Sequence, residues 1–291
     1  MGHCHASLLT SRGVLRVRGA DARKYLQGLI TNDIGKAQGV HAIHAGLLSP
    51  QGKILFDFFA IAAGDGFLID VAEDRAGELL KRLSFYRLRA QVEIEEEPSL
   101  AVAAAWGGTP HLPEGAIVYA DPRLPELGFR LLVAQGTNAP DLGCEPARQE
   151  DYDAFRIGLG VPEGGRDYAF GEAFPHEALF DQLCGVDFAK GCYIGQEVVS
   201  RMEHRGTARK RIVPVEGEAP LPASGTSVEA DGVPIGTLGS VSGASGLALV
   251  RLDRAEEALA RGRALMAGGV KIALRRPAFA RFPVPTAGVL A

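Results

Sequence analysis

The sequence predicts an α+β protein, with interleaved strands and helices followed by a small all-β region. Three observations predict it. Strand-like alternation and helix-like spacing of apolar residues take turns through most of the chain. A breaker-rich stretch, PVEGEAPLPASG (Pro214–Gly225), then interrupts that pattern. Beyond it, TSVEADGVPIGTLGSVSGASGLALVRL carries short strands between frequent glycine turns, the signature of a small barrel or sandwich.

The elements follow in order. GVLRVRG (Gly13–Gly19) alternates apolar and basic residues and reads as a half-buried strand. Asp21 stands where it can cap a helix over ARKYLQGLI, in which Ala22, Tyr25, Leu26, Leu29 and Ile30 make one apolar face ending at Thr31–Asp33. HAIHAGLLS and KILFDFFAIA flank the turn PQGK as a hairpin, and Gly64–Gly66 turn the chain into a third strand, FLIDVA. Ala76, Leu79, Leu80 and Leu83 form a second helical face. QVEIEEE returns to strand alternation, while LAVAAAW is a buried strand or helix that periodicity does not separate. GTNAPDLGCEPARQ (Gly136–Gln149) reads as a loop or linker, and EDYDAFRIGLG as a helix ending near Gly158 or Gly160. There is no internal repeat.

Composition narrows the function classes. Of 291 residues, 46% are hydrophobic and 23% charged, as in soluble globular proteins. The net charge of −4 argues against wrapping nucleic acid through bulk charge. No apolar run reaches the length of a bilayer span, and MGHCHASLLTSRG lacks a basic region followed by an apolar one. The expectation is a cytoplasmic monomer with no membrane association. The four cysteines, Cys4, Cys144, Cys184 and Cys192, are far apart and form no C-x-x-C pair, so free thiols are expected. Their spacing also argues against a cluster held by this chain alone. HCH (His3–His5) is a weak metal candidate, better read as a mobile tail.

Several motifs fail on inspection. GLLSPQGKI has one residue too many between Gly46 and Gly52 for a phosphate loop, and Ile54 stands where a hydroxyl belongs. GLGVPEGG has Glu163 in place of the third glycine of a dinucleotide motif. No metal-site spacing or serine-hydrolase elbow occurs in a usable context.

KGCYIGQE (Lys190–Glu197) is different. QEVVSRMEHR after Gly195 contains no breaker and can be helical, which places Cys192 just ahead of a helix N-terminus, where partial positive charge favours a thiolate. Lys190 adds a cation two residues away, and Gly191 and Gly195 permit backbone geometry that a β-carbon would forbid. A thiolate is a nucleophile and a soft metal ligand. The alternative on residue chemistry alone is a buried structural cysteine. Arg201, Arg205 and Arg209 recur every four residues and would share a helical face, an anion site or a solvated surface.

RIGLGVPEGGRD (Arg156–Asp167) and FPHEALFDQLCGVDFAKGCYIGQEVVSR (Phe174–Arg201) resemble the YgfZ-type folate-binding proteins, relatives of the glycine-cleavage T-protein that support iron–sulfur cluster assembly or repair. YLQGLITNDI, GLLSPQGKILFDFF, GTLGSVS and RRPAF are similar to other parts of that family, so the likeness runs through nearly the whole chain.

The resemblance implies three domains around a central folate-binding opening, in the α+β aminomethyltransferase (T-protein)-like fold with a C-terminal β-barrel. Residues 1–213 would form two interleaved α+β subdomains and 214–291 the barrel. It implies bound tetrahydrofolate, a required cysteine at Cys192, and partners among iron–sulfur assembly or client proteins, including a radical enzyme that modifies tRNA. A pterin wants carboxylate or amide partners and apolar walls, and the folate tail suits an arginine. The expected folate contacts are Asn32, Asp33, Asp57, Lys190, Tyr193, Gln196 and Arg201, with Asp57 as the acid of an alternative one-carbon (aminomethyl) transferase. No metal site is expected.

Two departures from the pattern stand out: Leu179 where a polar residue is frequent, and Arg130, in PELGFRLLV, where the T-protein pattern has an acid. RNA binding through Arg201–Arg211 is a third reading, opposed by the net negative charge.

Overall fold

A computed structural model of the chain describes residues 3–206 and 208–286. It contains two units, one of residues 1–152 and 183–197, the other of residues 153–182 and 198–291.

The first unit contains β1 (His5–Leu8), β2 (Arg12–Arg18), α1 (Ala22–Gln27), β3 (Ile43–Leu48), β4 (Ile54–Ala63), β5 (Gly66–Ala72), α2 (Glu73–Tyr86), β6 (Glu93–Glu96), β7 (Leu100–Trp106), β8 (Ile117–Ala120), β9 (Phe129–Ala134) and β10 (Glu145–Pro146). They form two five-stranded sheets, ordered β3-β4-β5-β2-β6 and β10-β1-β7-β9-β8. The predicted hairpin is β3 and β4, with Gly46 opposite Asp57. LAVAAAW is the strand β7, paired on both edges by β1 and β9, and its residues from Val102 to Trp106 are all buried. Burial on both faces removes the alternation that would have identified it.

Helix α1 ends earlier than its apolar spacing suggests. Leu29 and Ile30 stay in the core, but Ile30 already bridges Leu47 of β3. Asp21 precedes α1 without capping it, because its carboxylate accepts from the Gln91 amide at 2.8 Å.

A buried ionic cluster joins the two sheets. Arg12 of β2 donates to Asp70 of β5 at 2.6 Å. Arg130 of β9 bridges Asp70 at 2.9 Å and Asp121 at 3.0 Å, and Arg123 donates to Asp121 at 2.8 Å. The guanidiniums of Arg12, Arg123 and Arg130 lie 5.6, 5.0 and 4.2 Å from the centre of the Phe59 ring. Burial alone would raise the Asp121 carboxyl, but Arg123 and Arg130 hold it well below the usual range. Removing one partner would strand a buried charge, at a cost of about 3–5 kcal/mol.

The expectation of four free thiols is corrected here. Short β10 runs parallel to β1, and this brings Cys4 and Cys144 to a Cα separation of 4.7 Å, joined by a disulfide. No sequence spacing reveals a pair 140 residues apart. The mobile-tail reading of His3–His5 is corrected as well: His5 begins β1, and the Nδ1 atoms of His3 and His5 lie 3.2 and 3.7 Å from Glu145.

The chain passes between the units three times, within α3 (Gln149–Leu159), between Gln182 and Leu183, and within α4 (Gln196–Arg205). The second unit holds β11 (Lys210–Gly217), β12 (Ser227–Ala230), β13 (Val233–Ser242), β14 (Ser245–Arg251), α5 (Leu252–Ala260), β15 (Leu265–Ala267) and β16 (Val270–Leu274). Its six strands close into a barrel ordered β11-β14-β13-β12-β15-β16, with β16 returning to β11. Arg156 of α3 is buried and donates to Asp153, Asp167 and Ser240 at 2.7–2.9 Å. The ends of RIGLGVPEGGRD therefore fasten α3 to the barrel. Gly239 is needed beside them, since a Cβ there would lie 2.4 Å from the Asp167 carboxylate.

Candidate functional site

The segment Leu183–Glu197 returns to the first unit and is fastened there by residues just after α1. Thr31 donates its hydroxyl to the Gly185 carbonyl at 2.6 Å and accepts from the Gly46 amide at 2.8 Å. The Asn32 amide donates to the carbonyls of His44 at 2.8 Å and Cys184 at 2.6 Å, while its oxygen accepts from the Asp33 amide at 2.8 Å. Both Asn32 amide hydrogens are thus engaged by backbone. His44 is buried with Nδ1 3.3 Å from the Leu183 carbonyl, and burial pushes its imidazole down to about 3. Neutral His44 therefore donates from Nδ1. Lys36 pairs with Asp187 at 2.8 Å, and Asp187 accepts from the Ala189 amide at 2.8 Å.

Lys190 closes the end of α1. Its ammonium donates to the carbonyls of Gln27, Ile30 and Asn32 at 2.8, 2.6 and 2.9 Å. These oxygens at and just past the helix C-terminus carry partial negative charge and lack helical donors, so a cation there is favourable. All three ammonium hydrogens are engaged, leaving none for a ligand. Burial still pushes Lys190 down to about 8. The ammonium lies 5.2 Å from the centre of the buried Tyr193 ring, whose phenol burial pushes up to about 12.

Gly195 completes the frame. Its φ is +82°, and a Cβ would lie 2.6 Å from the Ser49 carbonyl and 3.1 Å from the Gly52 Cα, in the turn between β3 and β4. Only glycine fits that close approach. The predicted helix follows as α4, starting at Gln196, which is half-buried. Gly191 differs from the sequence expectation: its φ is ordinary, and a Cβ there would meet nothing within 4 Å.

Between these anchors Cys192 is exposed and free. Its exposure removes the alternative of a buried structural thiol. Cys184, at the start of the same segment, is also free and exposed, in the left-handed region with φ +53°. Asp33 caps the turn after it, its carboxylate accepting from the Gly35 amide at 2.8 Å. Asp57 is half-buried on β4.

Arg201 lies exposed on the part of α4 in the second unit. The shared face expected for Arg201, Arg205 and Arg209 does not form: α4 ends at Arg205, and Gly206 turns away with φ +58°. Leu179 is fully buried with φ +64°. Thr31, Lys36, His44 and Asp187 were not identifiable as part of the site, because their partners are backbone atoms or distant residues.

One group of possible metal ligands occurs among the described residues, His176, Asp181 and Glu203, whose ligand atoms lie within 4.8 Å of one another. His176 Nε2 is 3.0 Å from Glu203, and Arg211 donates to Asp181 at 2.9 Å. The guanidinium supplies the positive charge an ion would bring, so the group reads as a salt-bridge network.

Comparison with known proteins adds four findings. The family model described as the CAF17 C-terminal beta-barrel domain matches residues 209–282. The human mitochondrial iron-sulfur cluster assembly factor IBA57 is 36% identical over 273 residues, covering 83% of this chain and 76% of the human protein. The Neurospora crassa mitochondrial IBA57 homolog is 35% identical over 244 residues, covering 75% of this chain and 56% of that protein. The crystal structure of glycine cleavage system aminomethyltransferase T from Bartonella henselae superposes with a TM-score of 0.76 at 13% identity, covering 96% of this chain and 87% of that one. The chain therefore has the expected T-protein-like fold with its C-terminal barrel. The expected cytoplasmic location is corrected by the relatives, which bear a mitochondrial designation.

Proposed function

The chain belongs to the family of IBA57 iron–sulfur cluster assembly factors, and from that premise we propose that Cys192 is the thiol through which it handles a cluster or meets a partner that carries one. The observation that carries this reading is a free, exposed cysteine set between two tightly held anchors, Lys190 and Gly195. An iron–sulfur cluster is here cargo, and a thiolate is its usual ligand. In this reading the protein acts as a monomer on assembly or client proteins, tRNA-modifying radical enzymes among them.

Tetrahydrofolate belongs to the same proposal, supported by the family resemblance and consistent with the T-protein-like fold. The donor set fits it in part. The N–H groups of Asn32 and Lys190 are engaged by backbone carbonyls, which leaves Asp33, Asp57, Tyr193 and Gln196 as candidate pterin contacts in the first unit. A carboxylate such as Asp57 suits the donor edge of the pterin. Bound folate would supply a one-carbon carrier. The aminomethyl-transfer alternative wants an acid where Arg130 stands, and that guanidinium is bound to two carboxylates.

The test is complementation of a cell lacking its own family member, with tetrahydrofolate binding measured in parallel. Cys192→Ala is expected to bind tetrahydrofolate normally yet fail to restore iron–sulfur enzyme activity. Asp57→Asn is expected to weaken folate binding. Full restoration by Cys192→Ala would overturn the role of the thiol.

A further inference from the structure

We propose that the C-terminal end of α2 is a docking surface for an acidic protein segment that also carries apolar side chains. This inference stands apart from the thiol and the folate. The sequence there is KRLSFYRLR, Lys81 to Arg89, with four cations and no acid in a chain whose net charge is −4.

Many of the other cations of its unit are paired with carboxylates, while Arg23 and Lys190 instead donate to backbone carbonyls. Arg12, Arg16, Arg18, Arg75, Arg123 and Arg130 each sit on a carboxylate. Lys81, Arg82, Arg87 and Arg89 are exposed, and none forms an ion pair with a described residue.

Two large apolar side chains stand among these cations. Phe85 is 74% exposed and Leu88 is 90% exposed, the latter the most exposed large hydrophobic side chain among the described residues. Leu88 also adopts a left-handed backbone with φ +46°. It follows the α2 C-cap residue Arg87, the position where helices favour glycine. Leucine there strains the backbone and buries almost none of its surface, so burial within the folded unit gives little in return. A partner that covers the side chain would supply that burial.

The local shape favours a polypeptide occupant over a membrane. A cleft of about 360 Å³ beside Lys81, Arg82 and Phe85 reaches Leu55 and Phe56 of β4. A second of about 520 Å³ runs along Arg87, Leu88 and Arg89 and is also lined by Asp65 and Glu93, the latter already held by Arg18. Side chains of a peptide can enter such clefts while its acids meet the four cations; a flat bilayer surface cannot enter them. Complementary charge would speed encounter and set register.

The experiment selects a random peptide library, displayed on phage, against the immobilised full chain. The proposal expects enriched peptides that are net acidic and carry large apolar residues. A synthesised representative should lose at least about tenfold in affinity, roughly the effect of one good contact, for Arg82→Glu/Arg89→Glu and for Leu88→Gly. Leu88→Gly should at the same time melt no lower than the parent, and by about 2 °C higher, because it relieves left-handed strain. That gain separates lost docking from lost folding. The proposal is overturned if no peptide is enriched, if the enriched peptides are not acidic, or if they bind these variants and the parent alike. It is also overturned if phosphatidylserine vesicles, and not the selected peptides, bind in a manner that depends on Arg82, Arg89 and Leu88.

Discussion

The two glycines that frame Cys192 are built in opposite ways. Gly195 is pressed against the β3–β4 turn with a backbone that only glycine tolerates, and Lys190 on the other side fills the end of α1 with three hydrogen bonds. Gly191 and Cys192, between those anchors, are exposed, and a Cβ at Gly191 would meet no neighbour. Fixing the ends of a short turn while leaving its apex open is how a reactive group is presented in one geometry without being buried. The motif thus contains two kinds of residue, those that hold and those that are held out.

The largest effect expected from breaking this arrangement is at Lys190. Lys190→Met leaves the carbonyls of Gln27, Ile30 and Asn32 without their donor and should lower unfolding free energy by about 3 kcal/mol. Chemical denaturation would measure it, and an unchanged midpoint would show that Lys190 is not an anchor. Next come the glycines. Gly195→Ala forces a Cβ into the Ser49 carbonyl at positive φ and should cost about 2 kcal/mol, whereas Gly191→Ala should stay within about 0.5 kcal/mol of the parent. Equal losses at the two positions would remove the distinction between held and open residues.

How much of this was legible in the sequence depended on how local its cause was. The β3–β4 hairpin, α2, α4 and the barrel strands follow from spacing and turn residues, and the structure places them where those signals lie. LAVAAAW was ambiguous because β7 is buried on both faces. Asp21 and the last turn of α1 depart from the local pattern because Gln91 and Leu47, distant in sequence, compete for them. The Cys4–Cys144 bond depends on the pairing of β1 with β10, which no pattern announces.

The site divides the same way. Cys192 stood out as a thiol between glycines ahead of a helix. Asn32 reads as a polar folate contact and Lys190 as a cation beside the thiol, but the groups they bind are backbone carbonyls, invisible to a reading of side chains. The Arg201–Arg209 face required one helix to continue, and α4 stops at Arg205.

In the function proposed above, Cys192, and not merely any exposed thiol of this segment, engages an iron–sulfur cluster or its carrier. Cys184 supplies the internal control, being free and exposed on the same stretch of chain. The direct measurement is an anaerobic titration of the purified chain into a cluster-loaded assembly protein, followed by visible circular dichroism of the cluster. The parent and Cys184→Ala are expected to change the cluster spectrum in the same way, while Cys192→Ala leaves it as it was. A spectrum changed equally by Cys192→Ala and the parent would contradict it.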